Sequence, residues 1–308
     1  MASRSRVSAR LAVPVLLAAV LLASCAPASK DWHESFDAAR AFEHVRTQVE
    51  LGPRPAGSPE LARAADWIEA ELRSYGLKVH RHEFEVPDTP RGRIRFCNII
   101  GTTAQWPPRD DVIVLASHYD TKWFENLRFV GANDAGSSTG CLLEIARVLS
   151  RTGAGCDFAF VFFDGEEAFR EYTEHDGLFG SRRLAGDMKA DGSLARVRAL
   201  IVLDMVGDTD LKISIPTGDA ALSKAVFEAA ESLGWRDYFS LMGAAIMDDH
   251  HPFAVQGVPA IDLIDFQFGP GNAHWHTSED TLEKVSPQSL EVVGKTVLKM
   301  LETMSQQP

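Results

Sequence analysis

Apolar residues recur along the chain with two kinds of spacing that alternate. Residues 35–51 carry them at helical intervals, with Phe36, Ala39 and Phe42 on one stripe. Short continuous apolar runs, such as residues 158–163, lie between segments of this kind and indicate strands. The alternation predicts that helices and strands succeed one another along most of the chain.

The predicted elements together define a fold class. Predicted helices cover residues 35–51, 61–76, 140–150, 219–234 and 286–304. In the last of them, Ser286 suits the N-cap and Pro287 the first turn, and the predicted buried stripe is Leu290, Val293, Val297 and Leu301. Predicted strands cover residues 77–86, 95–100, 111–117, 158–163, 198–205 and 259–265. Several of these strands are apolar throughout, which is typical of strands covered by helices on both faces. We therefore expect a single α/β domain with a mixed, largely parallel central sheet between two helical layers, and with the first two strands as an antiparallel edge.

The amino-terminal residues have the composition of a secretory signal. Three arginines precede an apolar stretch at residues 11–23, which is short for a membrane span. The stretch ends in "LASC", which resembles the cleavage site of a bacterial lipoprotein signal, and this resemblance implies lipid on the thiol of Cys25. A plain signal peptide with an incidental cysteine is the alternative.

The leader divides the chain into three predicted parts. We expect a signal peptide over residues 1–24, a lipidated Cys25 with a tether over residues 25–35, and a catalytic domain over residues 36–308. Several acyl chains on one residue would anchor the protein stably, because a single chain binds membranes only marginally. The expected location is the bacterial cell envelope, at the periplasmic or outer-membrane face.

Charge and cysteine content narrow the classes of partner. The 308 residues carry a formal net charge of −12, which argues against nucleic acid or an anionic membrane surface as the main partner. Beyond the leader, Cys97, Cys141 and Cys156 are an odd number of widely spaced cysteines and form no disulfide framework. Buried thiols are expected, with a single disulfide as the alternative in an oxidising compartment.

Carboxylates and histidines follow the predicted strands where each apolar run ends. Open α/β sheets bind ligands at the carboxyl ends of their strands, so these side chains are expected to meet at one edge. Solvated acidic loops are the alternative, but the same chemistry recurs at five strand ends, and massed carboxylates favour a divalent cation. Imidazole with carboxylate oxygen is a ligand set for zinc. The residues concerned are His118, Asp120, Asp134, Asp164, Glu166, Glu167, Asp204, Asp248, Asp249, His250, His251, His274 and His276.

The motifs that contain these residues resemble a known family. "SHYDT", "GANDAGSSTGCLLEIAR", "FFDGEEAF", "LDMVGD", "DDHHPFAVQGVP" and "HWHT" follow one another as in zinc aminopeptidases of the M28 type. The chain is more similar still to the animal-type glutaminyl cyclases and their bacterial relatives, which share that fold. The cyclase-like details include "HYDTKWF", "DDHHPF" and a tryptophan directly before the last histidine. The resemblance covers about residues 36–305.

The resemblance implies a role for each motif residue. Zinc would be held by Asp134, Glu167 and His276. Glu166 would carry the proton, with Asp204 and Asp248 in the hydrogen-bond network around it, and Trp275 would line the substrate pocket. In the two-zinc aminopeptidases, the counterparts of His118 and Asp204 hold a second metal. Both are present here, so the sequence leaves one or two zinc ions open, with one favoured by the cyclase resemblance.

Two positions depart from the animal cyclases. Asp262 stands where many of them have histidine, and Tyr172 stands where they have a tryptophan shortly after "GEEAF". The implied reaction is the conversion of an N-terminal glutamine of a peptide or protein to pyroglutamate with release of ammonia. The alternative to this cyclase activity is that of an M28-type aminopeptidase, in which Glu166 activates a metal-bound water. The sequence leaves the oligomeric state open.

Overall fold

The computed structural model describes residues 31–152 and 155–305. The predicted signal peptide and Cys25 lie outside the described residues. The remainder forms one α/β unit, in agreement with the predicted fold class. Among the helices within these ranges, none is long and apolar enough to cross a membrane.

In the part of the chain that the structure describes, eight strands form one mixed sheet in the order β1-β2-β4-β3-β5-β8-β6-β7. The strands are β1 (Lys78–Thr89), β2 (Gly92–Thr102), β3 (Val112–His118), β4 (Asp157–Phe163), β5 (Val197–Asp204), β6 (Ile213–Ile215), β7 (Phe239–Leu241) and β8 (Ala260–Ile264). The first two are antiparallel and lie at one side, as predicted. The four central strands β4, β3, β5 and β8 are parallel, so their carboxyl ends meet at one edge.

Within residues 31–152 and 155–305, seven α-helices cover the sheet on both faces. They are α1 (Ala38–Leu51), α2 (Pro59–Ser74), α3 (Gly136–Leu149), α4 (Phe179–Asp191), α5 (Ala220–Ser232), α6 (His251–Ala254) and α7 (Pro287–Met304). One apolar core joins α1, α2, α3, α5 and α7 to one face of the sheet. A second, smaller core joins α4 and α6 to the opposite face. The continuous apolar runs of the central strands are explained by these two layers, because alternate side chains enter different cores.

The last helix shows how closely local sequence determines an element. Ser286 accepts a hydrogen bond from the backbone N–H of Gln288 at 3.1 Å, and Pro287 occupies the first turn, as predicted. The predicted stripe of Leu290, Val293, Val297 and Leu301 is fully buried. Burial of this stripe against α1, α3 and α5 fixes the helix on the sheet.

The ordered fold begins before the predicted boundary at residue 36. Residues Trp32–Ser35 form a short 3₁₀ helix, and Trp32 is buried with its ring edge-on to Phe158 at 6.2 Å. The tether assigned to residues 25–35 therefore does not extend to residue 35. A tryptophan in a polar stretch gives no periodic signal, so the sequence pattern does not reveal this contact.

A buried arginine joins the loop after α1 to the segment before α3. Arg54 is fully buried and donates to the backbone carbonyls of Gln48, Gly52 and Val130 at 2.9–3.1 Å, and to that of Gly131 at 3.3 Å. Burial lowers the pKa of Arg54 to about 10, opposed by the charge of Asp280, so the guanidinium stays protonated at neutral pH. The Pro/Gly loop after α1 is thereby held against the segment that precedes α3.

No disulfide joins the three cysteines of the described residues, which are Cys97, Cys141 and Cys156. Cys141 is fully buried in α3, while Cys97 and Cys156 are partly exposed. Burial raises the pKa of the Cys141 thiol above its ordinary value, which makes it unreactive. The three form no disulfide framework, as expected, and the expectation of burial holds for Cys141 but not for Cys97.

Candidate metal centre and substrate cavity

Three side chains from distant parts of the chain converge at the carboxyl edge of the sheet. His276 Nε2 lies 3.0 Å from Glu167 Oε1 and 3.2 Å from Asp134 Oδ2. Zinc bonds of about 2.0–2.2 Å in a tetrahedral arrangement place ligand atoms roughly 3.3–3.6 Å apart, close to these separations. The nitrogen and oxygen donors are those that zinc takes, so the residues present fit a zinc ion.

The structure brings a second group of ligand type against the first. His118 Nε2 lies 3.3 Å from Asp134 Oδ1 and 3.2 Å from Asp204 Oδ1. Asp134 thus presents one oxygen to His276 and the other to His118. His118, Asp134 and Asp204 form a set that could also hold a metal ion. The geometry accommodates one or two ions, which is the alternative that the sequence leaves open.

Asp134 is positioned by a carboxylate that the sequence patterns do not single out. Asp280 accepts the backbone N–H of Asn133 at 2.7 Å and that of Asp134 at 3.1 Å. Burial raises the pKa of Asp280 to about 8, the charge of Asp134 adds to the rise, and the backbone hydrogen bonds oppose it. Asp280 follows His276 by four residues, but an aspartate in a polar loop carries no signal of its own.

The two glutamates after β4 are held by a tight turn and by Asp120. Gly165 has φ +72°, and a side chain there would clash with the Phe96 ring, so the turn of "DGEE" requires glycine. Asp120 accepts the backbone N–H groups of Glu166 and Glu167 at 3.1 and 3.3 Å. Its oxygen is 3.6 Å from His118 Nδ1, too long for an ordinary hydrogen bond. Asp120 therefore positions the glutamates more directly than it orients His118.

Glu166 faces the cavity beside the metal-ligand group rather than within it. Its Oε2 accepts a hydrogen bond from the Tyr172 hydroxyl at 3.0 Å, and that hydroxyl is 3.3 Å from Glu167 Oε2. Burial raises the pKa of Glu166 well above its ordinary value, while the charge of His118 opposes this and that of Asp248 adds to it. Tyr172 thus contacts both glutamates. The presence of tyrosine where the animal cyclases have tryptophan does not by itself indicate this role.

The two other predicted network residues lie at the same cavity. Asp204 lines the cavity, and its Oδ1 lies 3.2 Å from His118 Nε2. Asp248 lines the cavity and acts on Glu166 through its charge. Both residues therefore lie at the site. The hydrogen bond that the Glu166 carboxylate accepts, however, comes from Tyr172.

One cavity of about 280 Å³ is lined by most of the polar groups described above: Asp134, Glu166, Glu167, Tyr172, Asp204, Asp248 and His276. Its carboxylate floor lies below an apolar wall of Met205, Ile246, Met247, Ile264, Phe266 and Trp275. The Trp275 ring stacks on the His276 imidazole with centroids 4.1 Å apart, so the predicted pocket residue is adjacent to the predicted ligand. A larger hollow of about 380 Å³ lies between α5 and α7, but its lining contains no residue of the metal centre.

Neighbouring histidines and aromatic residues do not join the centre. The His274 ring packs edge-on against Phe268 at 5.3 Å, which agrees with its not being a ligand. Phe124 lies edge-on to His276 at 6.2 Å, whereas Trp123 lies under Arg91. Neither aromatic ring belongs to the cavity wall.

Comparison with known proteins identifies the family and the relatives of the chain. Residues 98–301 match the profile of peptidase family M28. A glutaminyl-peptide cyclotransferase of Drosophila melanogaster is 30% identical over 265 residues, which span 77% of this chain and 73% of that protein.

Solved structures superpose on most of the chain. The crystal structure of an Acidobacteriales bacterium glutaminyl cyclase has a TM-score of 0.82 and 34% identity, covering 89% of this chain and 96% of the other. A Zn-dependent exopeptidase from Parabacteroides distasonis has a TM-score of 0.78 and 27% identity, covering 87% of this chain and 98% of the other. The same fold thus occurs in cyclases and in an exopeptidase.

Proposed function

Because the chain belongs to peptidase family M28 and is similar to glutaminyl cyclases over most of its length, we propose that it cyclises N-terminal glutamine to pyroglutamate and releases ammonia. One observation carries the proposal: Glu166 and the ligand group of Asp134, Glu167 and His276 open onto a single small cavity. A volume of about 280 Å³ lies below the usual range of ligand pockets and suits one terminal residue.

Zinc is the metal that the residues favour. Asp134, Glu167 and His276 would hold it, and a bound zinc supplies Lewis acidity to the side-chain amide carbonyl of the substrate. The three ligand side chains are nearly buried, with exposed fractions of 4%, 3% and 15%. Their geometry is therefore fixed by packing before a metal arrives, which favours affinity and orientation.

Glu166 has the position of the group that moves the proton. Cyclisation forms a bond from the α-nitrogen to the amide carbon and breaks the bond from that carbon to the leaving nitrogen. Glu166 takes the proton that the α-nitrogen loses and delivers it to the leaving nitrogen, which departs as ammonia. Tyr172, at 3.0 Å, holds the Glu166 carboxyl in one orientation during both transfers.

The cavity also orients the substrate. Its acidic floor attracts an N-terminal amine, which remains partly protonated near its pKa of about 8. The apolar wall around Trp275 restricts access of water to the reacting amide, which favours cyclisation over hydrolysis. Attack within one molecule needs no second reactant, so positioning alone supplies much of the rate.

An aminopeptidase is the second candidate, and the His118 group favours it. His118, Asp134 and Asp204 could hold a second metal, and similar folds include an exopeptidase. The two functions are separated by assaying ammonia release from a Gln-initiated peptide beside cleavage of aminoacyl amides, together with zinc per chain. Cleavage of amides without cyclisation of glutamine would overturn the proposed function.

His118→Ala distinguishes the two functions by metal content. If the protein is a cyclase with one zinc, the variant is expected to keep that zinc, because Asp134, Glu167 and His276 remain. Zinc per chain is measured by elemental analysis after gel filtration, with His175→Ala as the control, because His175 is exposed and belongs to no group of ligand-type atoms in the described residues. A fall from two zinc ions to one in His118→Ala alone would instead support the aminopeptidase.

We propose further that lipid on Cys25 anchors the protein in the bacterial envelope. The support is the "LASC" sequence after a basic and then apolar leader, and it lies outside the described residues. Cys25→Ala is expected to move the protein from the membrane to the soluble fraction, because the thiol carries the lipid. Fractionation and immunoblotting measure this, with Cys156→Ala as the control. Equal membrane retention in Cys25→Ala and wild type would contradict the anchor.

A further inference from the structure

A buried aspartate behind the cavity has no hydrogen-bond donor. Asp262 lies on β8 with 1% of its surface exposed, and both of its side-chain oxygens are without a donor. Ligand-type atoms of Asp262, Asp248 and His250 all lie within 4.8 Å of one another. A buried, unpaired carboxylate is costly, so this arrangement needs a proton or another cation.

The groups that face Asp262 supply no positive charge. Asp204 on β5 and both Asp248 and Asp249 in the segment before α6 act on Asp262 through their charges. Burial lowers the pKa of His250, opposed by the charge of Asp248, so the imidazole is neutral near pH 7. Its Nδ1 is buried without a partner. None of these neighbours is a cation, so the charge of an ionised Asp262 would be uncompensated.

Side-chain oxygens of Asp248 and Asp262 lie within 4.8 Å of each other, so the two carboxyl groups are direct neighbours in the cluster. Burial raises the pKa of Asp262 well above its ordinary value, and the charges of Asp248 and Asp204 raise it further. Two ionised carboxylates are both acceptors, and only a protonated one can donate to the other. Asp248 lines the cavity and Asp262 does not, so Asp262 lies behind Asp248 as seen from the cavity.

We propose that Asp262 is held as a neutral carboxylic acid that donates a hydrogen bond to Asp248 and so positions Asp248 at the cavity floor. The catalytic part of this inference rests on the proposed function. Asp262 is a positioning residue, since it acts through Asp248, whose charge in turn faces Glu166. Carboxylic acids kept neutral by burial serve as hydrogen-bond donors in other active sites.

Two substitutions of similar size test the donor. Asp262→Asn keeps a donor that cannot lose a proton, and it is expected to retain kcat within about threefold. Asp262→Leu removes the donor, and we expect kcat to fall roughly tenfold or more with little change in KM, since one hydrogen bond to a charged group is lost. Thermal unfolding confirms that both variants are folded. An Asp262→Leu variant that is folded and has wild-type kcat would overturn the proposal.

The dependence on pH gives a readout that packing alone would not move. Asp262 has a raised pKa, so its proton is present at lower pH and is lost as the pH rises through that pKa. The ratio of kcat for Asp262→Asn to kcat for wild type is therefore expected to increase from neutral to alkaline pH. A ratio that is constant with pH would count against a titrating donor.

Infrared spectroscopy and metal analysis test the proton without relying on activity. The carboxylic acid carbonyl band of wild type is expected to lose intensity in Asp262→Asn at neutral pH. Unchanged intensity, or loss of a metal ion from Asp262→Asn while zinc at the main centre remains, would overturn the proposal, the latter in favour of a cation site. If wild type fails to cyclise glutamine, only the proposed function falls, and the infrared result still decides the state of Asp262.

Discussion

Replacing His276 with alanine is expected to empty the main metal centre and to lower kcat/KM for a Gln-initiated peptide by about 10³-fold or more. His276 Nε2 lies within 3.2 Å of the carboxylates of Asp134 and Glu167. Its removal therefore leaves two carboxylates and no imidazole to bind the metal. The Lewis acidity of the metal is worth several kcal/mol, which corresponds to this loss of rate. Zinc per chain and kcat/KM are the quantities to measure.

His274→Ala is the matched control for this experiment. The two histidines flank Trp275, but His274 packs against Phe268 and is outside the ligand group. We expect His274→Ala to keep its zinc and most of its activity. Zinc retained in His276→Ala but lost from His274→Ala would show that the ligand has been assigned to the wrong histidine.

Glu166→Gln is expected to reduce kcat about 10²–10⁴-fold, the usual contribution of a general acid–base group. Glutamine keeps the size of the side chain and can still contact the Tyr172 hydroxyl, but it cannot accept and return the proton of the substrate amine. Glu166 is outside the ligand group of Asp134, Glu167 and His276, so zinc content is expected to be unchanged. Turnover, KM and zinc per chain are measured together.

Glu171→Gln provides the comparison for Glu166→Gln. Glu171 is exposed and lies in the same segment, so removal of its charge changes the local sequence without touching the cavity. It is expected to behave as wild type. Near-normal ammonia release by Glu166→Gln would remove Glu166 from the mechanism, and loss of zinc from that variant would assign it to the metal instead.

The sequence predicted the central layers well because their signals are local and periodic. The stripe of α7 and its Ser286 cap appear as predicted, and so do the apolar central strands. By contrast, β6 and β7 have three residues each, too few for a period to be recognised. Helix α4 was not predicted, because only a few of its side chains are apolar and polar residues separate them.

Site residues could be predicted where they stand in motifs close to the end of a strand. They could not be predicted where their contacts depend on two loops that meet. Asp134, Glu167 and His276 stand in recognisable motifs, and the structure brings them together. Asp280 and the double contact of Tyr172 depend on how two loops fold onto each other, which no spacing reveals. The isolation of Asp262 likewise appears only once β8 is packed against its neighbours.

The separation of the three proposed zinc ligands along the chain links metal supply to the stability of the whole protein. Asp134 precedes α3, Glu167 follows β4 and His276 follows β8, so an unfolded chain cannot present them together. Zinc is therefore expected to bind almost exclusively to the folded state. Each tenfold rise in free zinc above the dissociation constant adds about 1.4 kcal/mol to the free energy of unfolding. Scarcity of the metal in the surroundings would thus shorten the lifetime of the folded protein as well as slow its chemistry.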